Sequence, residues 1–222
     1  MSTDMAPLQA VLFDMDGTLI DSEKLWSIGL VEVADELGGS LSAETRASMV
    51  GKDLVSSVRM LMADLGVTGE PAVVQRLLVS AMAREFANAL EWRPGAEDLL
   101  KAVRAAGLRT GLVTSTHRNL TSVALETIGR DNFDIIVCGD DVAHTKPHPE
   151  PYRKALRELD VTADATVAIE DSPAGSTSAR TAGIATLVVP LEVPVEPAPL
   201  LTIRPSLVGV TVADLQALLL GR

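Results

Sequence analysis

Two hydrophobic periods alternate along this chain, and the changes between them divide it into three stretches. The first stretch is a short apolar run, Val11-Leu12-Phe13, which ends in carboxylates and predicts a buried strand. From about residue 22 to residue 91, apolar positions recur with helical spacing. From Trp92 onwards, short apolar runs alternate with helical segments, which is typical of a parallel sheet with helices on both faces.

The helical stretch predicts four helices, which begin near residues 22, 42, 53 and 71, and the last of which ends near residue 90. The first helix is expected to bury a stripe of apolar side chains, namely Leu25, Ile28, Val31, Val33 and Leu37. The third is expected to bury Val55, Val58, Leu61, Met62 and Leu65. We therefore expect a small helical insertion in this part of the chain.

The remaining stretch predicts strands over 110–115, 133–138, 166–171 and 185–189, separated by helices over 94–106, 119–128, 149–159 and 173–182. The proline-rich segment 191–206 is expected to be a surface excursion, and 208–219 a final short strand and helix. The predicted fold is a doubly wound, Rossmann-like α/β sheet with an inserted helical cap domain. Residues 1–21 and 92–222 would form the core domain, and 22–91 the cap.

Composition narrows the possible partners and the compartment. The chain has 222 residues, and its net charge of −11 argues against nucleic acid or an anionic membrane surface as a partner. Cys138 is the only cysteine, so no intrachain disulfide can form, which fits a reducing compartment. The first ten residues lack the features of a signal peptide, and no apolar stretch is long enough to span a bilayer. We therefore expect a cytoplasmic protein.

Two carboxylates, Asp14 and Asp16, follow the first predicted strand, and Gly17 comes directly after them. Residues two apart in an extended chain point the same way, so these carboxylates would project together. Such carboxylates repel each other unless a cation lies between them or one is protonated, and oxygen ligands suit Mg²⁺. The same run is an ordinary turn signal as well, so its spacing alone leaves both interpretations open.

Polar residues also follow three later strands. Thr114 and Ser115 end one strand, Glu170 and Asp171 end another, and Lys146 lies in the loop after a third. Ligands of doubly wound sheets bind beyond the carboxyl ends of the strands. Taken singly, the hydroxyls could cap a helix, and the lysine and the two acids could be solvated. Their convergence favours a functional site.

Four runs, in this order along the chain, resemble the motifs of the haloacid dehalogenase-like hydrolases. They are DMDGTLIDSE after the first strand, LVTS at 112–115, KP at 146–147 and IEDS at 169–172. The resemblance covers about residues 10–190 and is closest to the hexose and 2-deoxyglucose-6-phosphate phosphatases and the β-phosphoglucomutase-like proteins. It implies a core fold with a four-helix cap inserted after the first motif.

The resemblance also implies roles for single residues. Asp14 would attack phosphorus and form an aspartyl-phosphate, and Asp16 would act as general acid and then as general base. Mg²⁺ would be held by the carboxylates of Asp14 and Asp171 and by the backbone carbonyl of Asp16. The phosphoryl oxygens would be held by Thr114, the Ser115 N–H and Lys146.

Several further residues are candidates for supporting roles. Glu170 would orient Lys146 or a metal-bound water, and the resemblance places the specificity residues in the cap. We single out as specificity candidates Lys52, Trp26, His117 and Arg76. For Lys52 the alternative is a surface lysine, and for Trp26 it is an anchor of its helix. His144 and His148, on either side of Lys146-Pro147, are interpreted as loop histidines and not as metal ligands, because no pattern of supporting residues is visible around them.

These features predict a Mg²⁺-dependent phosphatase that hydrolyses a small phosphorylated metabolite, with a sugar or polyol phosphate as the expected substrate. We expect a monomer with no macromolecular partner. A phosphomutase is the alternative enzyme, but the β-phosphoglucomutases carry a histidine where this chain has Trp26. A non-catalytic binding protein is the remaining alternative, although it would not need all of these polar residues intact.

Overall fold

The protein is described by a computed structural model over residues 7–49, 52, 54–191 and 193–220. Its strands are β1 (Ala10–Phe13), β2 (Arg109–Val113), β3 (Ile135–Val137), β4 (Thr166–Glu170), β5 (Ala185–Val188) and β6 (Leu201–Ile203). They form one parallel sheet in the order β3-β2-β1-β4-β5-β6. This order, in which the chain reverses direction across the sheet next to β1, confirms the doubly wound α/β fold.

Helices connect the strands. Between β1 and β2 lie α1 (Glu23–Glu36), α2 (Ala43–Met49), α3 (Leu54–Leu65), α4 (Pro71–Ala89) and α5 (Ala96–Ala105). The later helices are α6 (Arg118–Ile128), α7 (Glu150–Leu159), α8 (Pro173–Thr181) and α9 (Val212–Leu220). We call α1–α4 the helical insert. The exact boundaries of a core domain and a cap domain remain a prediction.

The side chains of β1 show how the sheet is buried on both faces. Val11 and Phe13 belong to the apolar cluster that includes residues of α5 and α9, whereas Leu12 belongs to the cluster built with α7. Successive side chains of a strand point to opposite faces, so one short run serves two layers of helices. β1 is therefore fully buried, and only its carboxyl end leads towards polar surroundings.

The helical insert leaves and rejoins the sheet at neighbouring points. Ile20 forms an antiparallel bridge with Trp92. Backbone hydrogen bonds run from the Asp21 N–H to the Glu91 carbonyl at 2.9 Å and from the Arg93 N–H to the Leu19 carbonyl at 2.8 Å. These backbone contacts between the two connecting segments hold the insert over the carboxyl end of β1.

Two sequence expectations about the ends of the fold are wrong. The segment 191–206 was expected to be a surface excursion, but it contains β6, which pairs with β5 through Thr186 and Leu201. The strand expected after 208 is absent from the described residues there, which contain α9. The reason is that β6 is an edge strand of only three residues, Leu-Thr-Ile, with half-exposed or exposed side chains, so its alternation is too short to predict a strand.

The expected apolar stripes of the insert are also partly wrong. In α1, Ile28 and Val31 are exposed, and in α3 Val55 is exposed. The buried residues of α1 include the small residues Gly29 and Ala34. Because these small residues permit close packing of α1 on α4, they decide the buried face, and a pattern of large apolar residues misses it.

No helix in the described part of the chain combines the length and the apolar character needed to cross a bilayer.

Candidate active site

The carboxyl ends of three adjacent strands bring the predicted polar residues together. Phe13, the last residue of β1, lies opposite Leu112 of β2 and Ile169 of β4. The residues that follow them therefore emerge at one edge of the sheet, and the Asp14 N–H donates to the Ile169 carbonyl at 3.0 Å. A cavity of about 310 Å³ opens there between the sheet and the helical insert.

Lys146 joins two of the carboxylates at the base of this cavity. Its Nζ lies 2.6 Å from Asp14 Oδ1 and 2.7 Å from Glu170 Oε1, and its side chain is only 5% exposed. Burial alone would lower the pKa of Lys146, but the charges of the two carboxylates outweigh it and raise the pKa above its usual value. Lys146 is therefore a fixed cation beside Asp14, in an acidic protein.

Glu170 is buried completely and is held from two sides. Besides Lys146, the hydroxyl of Tyr152 donates to Glu170 Oε1, while Oε2 has no partner among the described residues. Burial raises the pKa of Glu170 to about 7, although the charge of Lys146 and the two hydrogen bonds oppose the shift. Gly175 packs against this carboxylate so closely that a Cβ atom would overlap it. A carboxylate placed in this way can orient Lys146.

Asp16 is surrounded by neutral donors. Its Oδ1 accepts from Ser22 Oγ at 2.7 Å and from Trp26 Nε1 at 3.4 Å, and its Oδ2 accepts from Thr116 Oγ1 at 2.8 Å and Thr114 Oγ1 at 3.3 Å. These contacts come from α1 and from the loop after β2. They fix the orientation of the carboxylate without neutralising its charge.

The environments of the two aspartates therefore differ. Burial, followed by the charge of Asp14, raises the pKa of Asp16, and the hydrogen bonds from the surrounding hydroxyls lower it only in part. Asp14 instead contacts the ammonium group of Lys146. Two neighbouring carboxylates in such different surroundings, one beside a buried cation and one among neutral donors, are typical of a nucleophile and a general acid.

A possible cation site lies beside them. Carboxylate oxygens of Asp14, Glu170 and Asp171 all lie within 4.8 Å of one another. Burial, followed by the charges of the other two, raises the pKa of Asp171 well above its usual value, as expected for like charges held together. The buried donors are all oxygens, which fits Mg²⁺. Gly17, with φ of +77°, allows this approach because a Cβ there would overlap the Asp171 carboxylate.

The structure brings most of the predicted site residues to the cavity. Its lining includes the predicted residues Asp14, Asp16, Trp26, Lys52, Thr114, Ser115, His117, Lys146 and Asp171. Glu170 lies behind this surface, in contact with Lys146. Gly51 and Asp53, the neighbours of Lys52 in its loop, are outside the described residues. The catalytic, phosphate-binding and metal-binding roles stay predictions.

Arg76, a specificity candidate from the sequence, does not line this cavity. It lies on the exposed side of α4, whose buried side chains include Val74 and Leu78. Arg46, in the last turn of α2, contributes to the lining instead. The helical spacing defines a buried face and an exposed face, but it does not indicate which polar edge borders a cavity.

Other residues of the site were missed from the sequence, among them Ser22, Arg46, Thr116, Tyr152 and Gly175. Ser22 comes directly before α1, but its side chain makes no capping hydrogen bond to that helix and contacts Asp16 instead. Thr116 follows directly after the motif at 112–115, so its position was a usable signal. Tyr152 carried none, because a single aromatic residue in a helix is an ordinary core residue.

Comparison with known proteins places this geometry in a family. Residues 11–189 match the family model described as haloacid dehalogenase-like hydrolase. The chain is 30% identical over 178 residues to the phosphorylated carbohydrates phosphatase of Thermotoga maritima, covering 80% of this chain and 82% of the relative. It is 34% identical over 199 residues to protein CbbY of Cereibacter sphaeroides, covering 82% and 84%.

A solved structure agrees with these relatives. The crystal structure of CbbY from Rhodobacter sphaeroides in complex with phosphate superposes with a TM-score of 0.84 at 28% identity, over 94% of this chain and 99% of that chain. The similarity therefore includes both the sheet and the helical insert.

Proposed function

Because the chain belongs to the haloacid dehalogenase-like hydrolase family, we propose that it is a phosphatase that uses Asp14 and Asp16 to hydrolyse the phosphate monoester of a small sugar or polyol. The observation that carries this proposal is the contrast between the two aspartates at the end of β1. Asp14 pairs with Lys146 at 2.6 Å, while Asp16 is held by neutral donors and has a raised pKa. The first is suited to attack, and the second to hold a proton.

In the first half of the proposed reaction, an Asp14 oxygen attacks phosphorus and the bond from phosphorus to the leaving oxygen breaks. Asp16 gives its proton to that oxygen, which leaves as the alcohol of the sugar or polyol. Lys146 and Thr114, together with the Ser115 N–H, interact with the phosphoryl oxygens. The product of this half is an acyl phosphate on Asp14.

In the second half, the ionised Asp16 takes a proton from water, and the oxygen of that water attacks phosphorus. The bond between phosphorus and Asp14 breaks, which releases phosphate and restores both aspartates. Mg²⁺, for which Asp14, Asp171 and the Asp16 carbonyl are the proposed ligands and Glu170 lies nearby, would offset the repulsion between the nucleophile and the phosphate dianion.

A phosphomutase is the second candidate, and the surroundings of Asp16 do not favour it. The side chain that reaches Asp16 from α1 is Trp26, whose indole N–H donates at 3.4 Å. An indole is a donor only and cannot take up a proton, so it cannot share proton transfer with Asp16. Net hydrolysis, in which water completes the reaction, is therefore the better account.

The proposed substrate class rests on a relative and on the cavity. The Thermotoga maritima relative is named for phosphorylated carbohydrates. The cavity of about 310 Å³ suits a small metabolite, and the residues of the helical insert that line it include both apolar and basic side chains. The basic ones, Arg46 and Lys52, are candidates for contact with the polar groups of the substrate.

The test is phosphate release from a panel of sugar and polyol phosphates, after removal of metal with a chelator and after return of Mg²⁺. We expect activity only with Mg²⁺. Asp14→Asn should abolish it, and Asp16→Asn should reduce it by about 10²- to 10⁴-fold, the usual contribution of general acid–base catalysis. Asp98→Asn, at an exposed position of α5, is the control and should keep full activity.

Two outcomes would contradict the proposal. Full activity of Asp14→Asn would exclude this residue as the nucleophile. Conversion of β-glucose 1-phosphate to the 6-phosphate without release of phosphate, as detected in a coupled assay, would identify a mutase.

A further inference from the structure

A second group of candidate metal ligands lies outside the cavity, in the loop before α7 and at the first residue of that helix. His144 Nδ1 is 3.0 Å from Glu150 Oε2, and His148 Nδ1 is 3.9 Å from the same oxygen. The two imidazole rings are 4.6 Å apart between centroids. One ring nitrogen of each histidine and one oxygen of Glu150 all lie within 4.8 Å of one another. None of the three lines the active-site cavity.

The backbone holds the carboxylate of this group in place. Glu150 accepts the N–H groups of Ala143 at 3.0 Å and His144 at 3.1 Å, so the loop closes on the first turn of α7. On the far side of the loop, Ser178 Oγ donates to the His148 carbonyl at 2.6 Å. A carboxylate held in this way requires little rearrangement to bind a cation.

The donor types select one class of ion. Two imidazoles and one carboxylate form the ligand set of many zinc sites that keep an open coordination position, whereas Mg²⁺ prefers oxygen ligands throughout. The side chains of His144 and His148 are 66% and 48% exposed, so an ion can reach them and water can complete its coordination. We propose that His144, His148 and Glu150 bind one Zn²⁺-class ion, at a site separate from the carboxylates of the active site.

The position of this site gives it a consequence for the active site. His144 and His148 lie two residues before and two residues after Lys146, the cation that joins Asp14 and Glu170. An ion bound to both histidines and to Glu150 links the two sides of the Lys146 loop to α7. It therefore stabilises the loop from outside the cavity.

The test is calorimetric titration of the untagged protein with ZnCl₂ after chelator treatment, in saturating Mg²⁺ so that the active-site carboxylates are occupied. We expect one Zn²⁺ per chain. Loss of a residue that only hydrogen-bonds to a metal ligand weakens metal binding by about 10- to 100-fold. Loss of a ligand itself should cost at least as much, so His144→Ala and His148→Ala should each weaken Zn²⁺ binding by that factor or more. His117→Ala is the matched control, since His117 is the one histidine of the chain besides His144 and His148.

A thermal melt supplies the second measurement. Zn²⁺ should raise the melting temperature of the wild type and of His117→Ala, but not that of a His144→Ala/His148→Ala double variant, whose melt in Mg²⁺ alone shows whether it folds. The proposal is overturned if the wild type binds no Zn²⁺, if the double variant binds it as tightly as the wild type, or if His117→Ala abolishes binding. Glu150→Gln gives a further check, because loss of the charged ligand should also weaken binding.

Discussion

Replacing Tyr152 with phenylalanine removes one hydroxyl and keeps a ring of the same shape. The ring is fully buried in the apolar cluster between the sheet and α7, so its packing is retained. The hydroxyl donates to Glu170, whose second oxygen already has no partner among the described residues. The substitution therefore tests one hydrogen bond to a buried carboxylate, and it does so without requiring any assumption about the reaction.

The expected cost follows from the charge of Glu170. A hydrogen bond to a charged group contributes about 1.5–3 kcal/mol, against about 0.5–1.5 kcal/mol for a neutral pair. The pKa of Glu170 in the folded protein is about 7, so Glu170 is charged above pH 7 and neutral below it. The loss of stability should therefore be that of a charged hydrogen bond above pH 7 and that of a neutral one below it. For a chain of this length, each kcal/mol lowers the melting temperature by about 2–4 °C.

Proton binding by Glu170 makes the stability of the protein depend on pH. The folded state binds a proton at Glu170 more tightly than the unfolded state, whose pKa is near the ordinary value of 4.5. The contribution of this group to stability is therefore fully present below pH 4.5 and is lost as the pH rises through 7. Loss of the Tyr152 hydroxyl raises the pKa of Glu170 further, so the stability of the variant falls more steeply above pH 7.

The assay is urea denaturation of both proteins at pH 5.5 and pH 8.5, with a chelator present so that no metal contributes. We expect the difference in unfolding free energy to be larger at pH 8.5. In a Glu170→Gln background the pH dependence of this difference should disappear, because no charge remains to be lost. A difference below about 0.5 kcal/mol at pH 8.5, or an equal difference at both pH values, would refute the reasoning.

Three further predictions concern other contacts. Thr116→Val removes a donor that lowers the pKa of Asp16, so the basic limb of the pH–rate profile for a sugar phosphate should move to higher pH. Gly175→Ala should destabilise the protein by about 1–3 kcal/mol in chemical denaturation, because its Cβ overlaps the Glu170 carboxylate. Asp64→Asn should destabilise at pH 7 and less at pH 3, because hydrogen bonds lower the Asp64 pKa below 3.8 and this stability is lost progressively as the pH falls through the lowered pKa.

Matched controls separate these effects from general disruption. Thr186→Val removes the hydroxyl of an equally buried threonine that bonds only to a backbone carbonyl, so it should leave the pH–rate profile unshifted. Gly69→Ala should be tolerated, since a Cβ there meets nothing within 4 Å. The reasoning fails if Thr116→Val leaves the basic limb in place, if Gly175→Ala is as stable as the wild type, or if the cost of Asp64→Asn is unchanged at pH 3.

The centre of the sheet and the start of the site could be predicted because their signals are local. β1 is a continuous apolar run, and the aspartates that follow it inherit a shared direction from the extended backbone. Lys146 could be assigned to the site only because its motif keeps a fixed order relative to the others. Its contacts with Asp14 and Glu170 depend on how a loop folds back over two strands, and the hydrophobic periodicity of the local sequence does not predict that.

The errors have equally physical causes. β6 is held by pairing with β5 and not by its own pattern. Arg46 and Arg76 are both exposed basic residues of the insert, and only the way the helices pack decides which of them borders the cavity. Thr116 and Tyr152 act through side-chain hydrogen bonds to carboxylates distant in sequence, so the partner had to be placed before the role could be seen.

The position of β1 in the sheet has a consequence for the order in which this protein can be assembled during translation. β1 is the first strand made, but Val11 pairs with Thr110 on one side and Val167 on the other. Both of its edges stay open while the helical insert is synthesised, and the second edge closes only when β4 leaves the ribosome. An unpaired apolar strand is a template for pairing with other chains. Nascent chains that stop before residue 166 should therefore aggregate more readily than the complete protein.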